Sequence, residues 1–232
     1  MGRERDMFAS EYELASLIDH TLLKPETNKQ EILRLCKEAL DYRFHSVFLL
    51  PYYLPIAVKK LRKIPVKVGT VIGFPLGGNS TTTKIFEAID SLRQGADELD
   101  IVINIGALKS GDFPYLEREL KGIISKTPEC LHKVIVEVGL LSEGELKKMI
   151  EVANRVKPAF VKTSTGFLAR GAQVEDVVAI RRYLHPDIGI KASGGIRTLQ
   201  QVTELVEAGA SRIGTSTGVE IIQEYSRKLT SG

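Results

Sequence analysis

The sequence predicts an α/β chain folded as one closed parallel (β/α)8 TIM barrel. Three observations support this. Eight short runs rich in β-branched residues recur from end to end. Segments with apolar residues at helical spacing separate them. No Pro/Ser-rich or low-complexity stretch divides the 232 residues into parts. Strand count alone leaves an open doubly wound sheet as the alternative. The single domain is expected to span 1–232, with residues 1–10 a flexible or helical N-terminal extension.

The first strand is read at "LIDHTLL" (17–23). Asn28 and Glu31 then stand at capping-box spacing, which would satisfy orphan N–H groups ahead of a helix striped by Ile32, Leu35, Cys36 and Ala39. The next strands are "SVFLL" (46–50) and "VKVGTVIG" (66–73). A second stripe, Ile85, Ala88, Ile89 and Leu92, leads to Gly95, placed where a left-handed residue closes a helix. "ELDIVIN" (98–104) and "KVIVEVG" (133–139) follow, and Ser142 with Glu145 repeats the capping box. "AFVKT" (159–163) and "IGIKAS" (188–193) are the sixth and seventh strands. Thr198 and Gln201 open a helix striped by Leu199, Val202, Leu205 and Val206 and closed by Gly209, before the last strand, "RIGTS" (212–216).

Composition narrows the function. A net charge of +3, with no cluster of Lys and Arg interleaved with aromatics, argues against nucleic acid as a partner. No apolar run approaches membrane-spanning length, and "MGRERDMFAS" is too charged for a secretory signal. Two cysteines, Cys36 and Cys130, make no disulfide framework. A reduced, cytoplasmic protein is expected. The four histidines, His20, His45, His132 and His185, show no metal-ligand spacing, so no metal or other cofactor is expected. "TSTG" lacks a nucleophile elbow, which disfavours a serine hydrolase.

In a barrel, residues just past the strands gather on one face. "GFPLGGNSTTTK" (73–84), "ASGGIR" (192–197) and "GTSTG" (214–218) would all lie there. Backbone N–H groups at such turns can hold a phosphate, making Gly194, Gly195, Thr215, Ser216 and Thr217 candidates, with Gly166 as a further contributor. The glycine spacing of "GFPLGGNS" is that of a nucleotide P-loop, but Asn79 occupies the lysine position, and an NTPase is rejected.

"FVKTSTGF" and "GIKASGGIR" each end an apolar run on a lysine, Lys162 and Lys191. One such lysine is ordinarily a solvated charge; two in the same structural position ask for a mechanism. An amine that condenses with a carbonyl must be neutral, yet an ordinary lysine is only about 0.04% neutral at pH 7. On adjacent strands, two ammonium groups ~5 Å apart at an effective dielectric of ~20 repel by about 3 kcal/mol, roughly two pKa units. Asp100 shares a strand face with Glu98 and, if that face is interior, lies within reach of both lysines as a proton carrier.

The chain resembles the deoxyribose-phosphate aldolase family in "IDHTLLKP" (18–25), "GFPLG" (73–77), "ELDIVINIGAL" (98–108), "KVIVEVGLL" (133–141), "VKTSTGF" (161–167), "IKASGGIR" (190–197) and "RIGTSTG" (212–218). The resemblance implies a metal-free class I aldolase that reversibly cleaves 2-deoxy-D-ribose 5-phosphate to acetaldehyde and D-glyceraldehyde 3-phosphate. It implies Lys162 as the Schiff-base lysine, Lys191 as the group depressing its pKa, and Asp100 as a proton-transfer partner. Asp19 and Thr21 would lie near the substrate or a relay water, and Gly166, Gly194, Gly195, Ser216 and Thr217 would bind phosphate. A homodimer or homotetramer is in keeping with it. The chain departs from the pattern at Phe48 and Leu50, where many relatives carry cysteine and asparagine. It also ends "KLTSG", without the C-terminal tyrosine some relatives use; its nearest, Tyr225, is expected on the last helix. Two other functions fit parts of the pattern: a phosphosugar isomerase using Asp19 and Asp100, and a non-catalytic phosphosugar-binding module.

Overall fold

The computed structural model describes residues 7–231. Eight parallel strands close into a barrel in sequence order: β1 (Ile18–Leu22), β2 (Ser46–Leu49), β3 (Lys67–Ile72), β4 (Glu98–Val102), β5 (Leu131–Ile135), β6 (Phe160–Lys162), β7 (Gly189–Ser193) and β8 (Arg212–Thr215). Pairing of β8 with β1, Ile213 opposite Ile18, completes the ring and rules out the open sheet.

Among the described residues ten α-helices accompany the strands: α1 (Glu11–Ser16), α2 (Lys29–Asp41), α3 (Leu54–Leu61), α4 (Thr81–Arg93), α5 (Ile105–Lys109), α6 (Phe113–Lys126), α7 (Glu143–Val156), α8 (Val174–Tyr183), α9 (Leu199–Glu207) and α10 (Gly218–Ser231). No helix among the described residues is long and apolar enough to cross a membrane. The capping boxes of Asn28, Ser142 and Thr198 all form, and at the start of α8 the Gln173 backbone N–H donates to Asp176 Oδ2 at 2.9 Å. Gly95 and Gly209 take positive φ, 96° and 112°, just past α4 and α9.

Strand alternation sends Leu99, Ile101, Val134, Val161, Ile190 and Ile213 outward into the apolar layer under the helices. The intervening residues face the barrel interior. Asp19 of β1 and Lys133 of β5 prove the point: strands on opposite sides of the ring place these side chains 3.6 Å apart, a contact possible only through the middle.

Two expectations need adjusting. The fifth strand stops at Ile135, four residues before "KVIVEVG" ends, because Glu137 is left-handed at φ 53° and Val138–Leu140 form a 3-10 turn. The stripe assigned to α4 is only partly buried: Ala88 is fully buried and Ile85 and Leu92 pack against the core at its edge, while Lys84 and Ser91 are the residues buried alongside Ala88. Lys84 sits there because it donates to Glu119 Oε2 and to the Val102 carbonyl, both at 2.9 Å, pinning α4 and α6 to the end of β4. Of the expected N-terminal extension, residues 1–6 lie outside the described residues. Phe8 is buried against the ring of Tyr225, which lies on α10 and donates to the Phe8 carbonyl at 2.6 Å.

Candidate active site

Lys162 and Lys191 are direct register partners on β6 and β7. Both point inward, and both donate to one oxygen, Asp100 Oδ2, at 2.7 and 2.9 Å. The two ammonium nitrogens therefore sit no farther apart than those two bonds laid end to end. Lys191 also pairs with Asp19 Oδ2 at 2.6 Å, and Asp19 Oδ1 accepts from Ser46 at 2.6 Å and Arg212 at 3.0 Å. One rung below, Lys133 pairs with Asp100 Oδ1 at 3.3 Å and bonds Glu98, whose other oxygen meets His45 at 3.0 Å.

Within this linked group four cations (Lys133, Lys162, Lys191, Arg212) face three carboxylates (Asp19, Glu98, Asp100). One positive charge is in excess, in an interior where an uncompensated ion is costly. The excess falls on Lys162. Its one ion pair among the described residues is with Asp100, and its amine is pulled down to about 8. Burial is the main cause; Asp100 pushes the other way, and the charges of Lys191 and Lys133 add to the depression. Charge repulsion from Lys191, which the sequence argument put first, is thus secondary to desolvation. At such a pKa roughly a tenth of the amine is neutral at pH 7, about two hundred times the ordinary fraction.

The carboxylates respond in the opposite sense. Burial alone would raise Asp100 and Asp19, but the ammonium groups around them more than reverse it and hold both below the usual range. Lys133 is likewise disfavoured by burial, yet Asp100, Asp19 and Glu98 keep it above its ordinary value.

Lys191→Leu would remove the repulsion and also free negative charge at Asp19 and Asp100. The expected result is an alkaline shift of the pH–rate profile by roughly one to two units. An unshifted profile would count against charge coupling.

Above the lysines, at the C-terminal ends of the strands, a cavity of about 270 Å³ opens, with Lys162 at its floor. Thr21, Gly166, Gly194, Gly195, Thr215 and Ser216 line it. Gly166, Gly194 and Gly195 have φ of 83°, 95° and 72°, so a side chain at any of the three would be strained. Cβ atoms built on Gly166 and Gly194 would each meet the other's Cα, at 3.4 and 3.3 Å, so the two loops press together. Thr217 stands beside the cavity; its hydroxyl donates to the Ile196 carbonyl at 3.2 Å. Asp19 lies beneath it, fully buried in the charge layer, and Asp100 does too.

Sequence reasoning missed Lys133 and Arg212 as members of this layer. Each begins the strand assigned to it, where a charge is ordinarily solvated; barrel stagger carries both inward. Alternation applied to Lys133, as it was to Asp100, would have found it. Arg197 and Lys24, cations at the cavity's rim, were also passed over.

A closed parallel barrel with a buried lysine of lowered pKa below a mouth at its strand ends is the arrangement that a class I aldolase, the kind that works through a lysine imine, requires. Residues 14–224 match the family described as DeoC/LacD family aldolase. The chain belongs to this family, and its relatives there place it with the deoxyribose-phosphate aldolases. A deoxyribose-phosphate aldolase of Thermococcus gammatolerans is 48% identical over 215 residues, covering 91% of this chain and 96% of that one. One from Clostridium perfringens is 47% identical over 212 residues, covering 91% and 95%. Among solved structures, the aldolase QR15 superposes with a TM-score of 0.90 at 41% identity over 94% of this chain and 98% of that one. The deoxyribose phosphate aldolase of Aeropyrum pernix, described as a unique tetramer, has a TM-score of 0.88 at 35% identity over 94% and 93%.

Proposed function

We propose that the protein reversibly cleaves 2-deoxy-D-ribose 5-phosphate to acetaldehyde and D-glyceraldehyde 3-phosphate, with Lys162 as the nucleophile. The observation that carries this reading is the convergence of Lys162 and Lys191 on one oxygen of Asp100. Neutral Lys162 attacks the aldehyde carbon of the open-chain sugar, and loss of water from the carbinolamine gives the protonated imine. A base then takes the proton of the C3 hydroxyl, the C2–C3 bond breaks, and its electron pair moves into an enamine. Glyceraldehyde phosphate leaves, the enamine carbon is protonated, and water releases acetaldehyde. In this reading Asp100, which accepts from both lysines, passes these protons with Lys191. Thr21 faces the sugar, and Asp19 keeps Lys191 in place.

The substrate phosphate belongs at the Gly166, Gly194, Gly195 and Ser216 end of the cavity, with Thr217 supporting the loop. Backbone N–H groups there need no charged partner to hold an anion. The isomerase alternative needs Asp19 and Asp100 to meet the sugar carbons directly as an acid–base pair, but neither carboxylate lines the cavity. A reduced cytoplasmic setting and assembly as a homodimer or homotetramer are part of the same reading. Both cysteines are free and buried, and burial pushes each thiol up to about 11.

Borohydride reduction with acetaldehyde, followed by peptide mass spectrometry, tests the assignment. A two-carbon adduct on Lys162 is expected. A chain that turns over deoxyribose phosphate yet stays unmodified would overturn it.

A further inference from the structure

Two lysines share Asp100, and something must decide which of them gives up its proton. Part of the answer is Asp19, which pairs with Lys191. The rest comes from a side with no charge. The charged groups facing the pair are Asp19 from β1, Glu98 and Asp100 from β4, Lys133 from β5 and Arg212 from β8. On the β2–β3 wall they meet an aromatic ring instead. Phe48 is fully buried, and its ring centroid lies 3.7 Å from Lys191 Nζ and 4.3 Å from Lys133 Nζ.

The ring has its place because Gly69, its register partner on β3, has no side chain. A Cβ at Gly69 would fall 2.3 Å from Cζ of Phe48 and 2.6 Å from each Cε, an impossible overlap. The ring and the glycine are therefore one device. An aromatic face attracts a cation, most strongly where water is excluded. A ring touching two of the three interior lysines thus favours the charged form of those two.

We propose that Phe48, seated against Gly69, is a positioning residue of the reaction: its ring holds Lys191 and Lys133 in place as cations, leaving Lys162 to serve as the nucleophile. The inference rests on the aldolase reading above. Weakening the ring acts on Lys162 through Lys191: an ammonium group no longer held over the ring moves away, which lessens the repulsion on Lys162 and lets it keep its own proton. The Lys162 amine should then become neutral only at higher pH.

The experiment follows the pH midpoint of borohydride trapping with acetaldehyde. Phe48→Met keeps approximate volume and removes the aromatic face; a shift of about half to one pH unit to higher pH is expected. Gly69→Ala, which displaces the ring, should move the midpoint the same way. Because these variants could disturb packing, phenylalanines carrying one, two or three ring fluorines are placed at position 48 as well. They keep the ring's shape and progressively weaken its attraction for cations, so a graded shift is expected in protein of unchanged circular dichroism. A filler role would not produce that gradation. Midpoints that stay put across the fluorinated series would overturn the inference alone. No adduct on Lys162 of the unaltered protein would overturn the aldolase reading, and this inference with it.

Discussion

Lys162→Met is expected to abolish imine formation and to lower turnover on the order of 10⁴-fold or more, while making the protein more stable. The first effect follows from loss of the only atom that bonds the substrate covalently. The second follows from the charge balance, since the barrel interior holds one more cation than its carboxylates neutralise. A lysine shifted from its ordinary 10.5 to about 8 is one the fold would rather not protonate. Over that interval the unfolded chain binds the proton and the folded chain does not, so stability rises with pH between the two values. Below about 8 the group is a net cost, roughly 3 kcal/mol by the size of the shift. Methionine removes the charge at similar volume, so roughly 1–3 kcal/mol of added stability is expected at pH 7, or about 2–4 °C in Tm per kcal/mol. The advantage should shrink as pH rises from 8 toward 10.5. Thermal melts of both proteins across that window check it. A variant less stable than the parent at pH 7 would show that the excess charge is not located at Lys162.

Asp100→Asn should do the reverse to the fold and something different to the chemistry. Asp100 meets three ammonium groups, so its neutralisation leaves those cations facing one another in a dry interior. A loss of about 3–5 kcal/mol is expected, measurable by urea unfolding. Turnover should fall about 10²–10⁴-fold, the usual scale for a lost proton-transfer group. Yet Asp100 is what props up the Lys162 pKa against burial, so trapping of the imine should extend to lower pH. An imine that forms more readily with turnover nearly gone would separate the proton-transfer role from the electrostatic one. Parallel loss of trapping and turnover would mean that Asp100 acts only by holding Lys162 in place.

The barrel was legible in the sequence because its strands alternate cleanly. Leu99 and Ile101 between Glu98, Asp100 and Val102 already say which face is which. Helix starts were legible because capping is local chemistry, as at Asn28, Ser142 and Thr198. The end of the fifth strand was not, since Glu137 adopts a left-handed backbone that nothing in "VEVG" announces. Lys84 was hidden for a different reason. A lysine inside an amphipathic helix reads as its solvated side, and only the distant Glu119 makes its burial tolerable. The pairing of Lys162 with Lys191 followed from strand position alone. The weight of desolvation relative to repulsion did not, because burial depends on the whole barrel closing. Nor did the contact of Phe48 with two ammonium groups, which needs Gly69 on the neighbouring strand to open the space.

Catalysis requires Lys162 to be largely uncharged under mildly alkaline conditions. Nuclear magnetic resonance of protein labelled at the lysine side chains, with the signal assigned by its absence in Lys162→Met, reads that titration directly. A midpoint near 8 is the expected result. A midpoint above 10, with the amine fully charged throughout the active range, would contradict it.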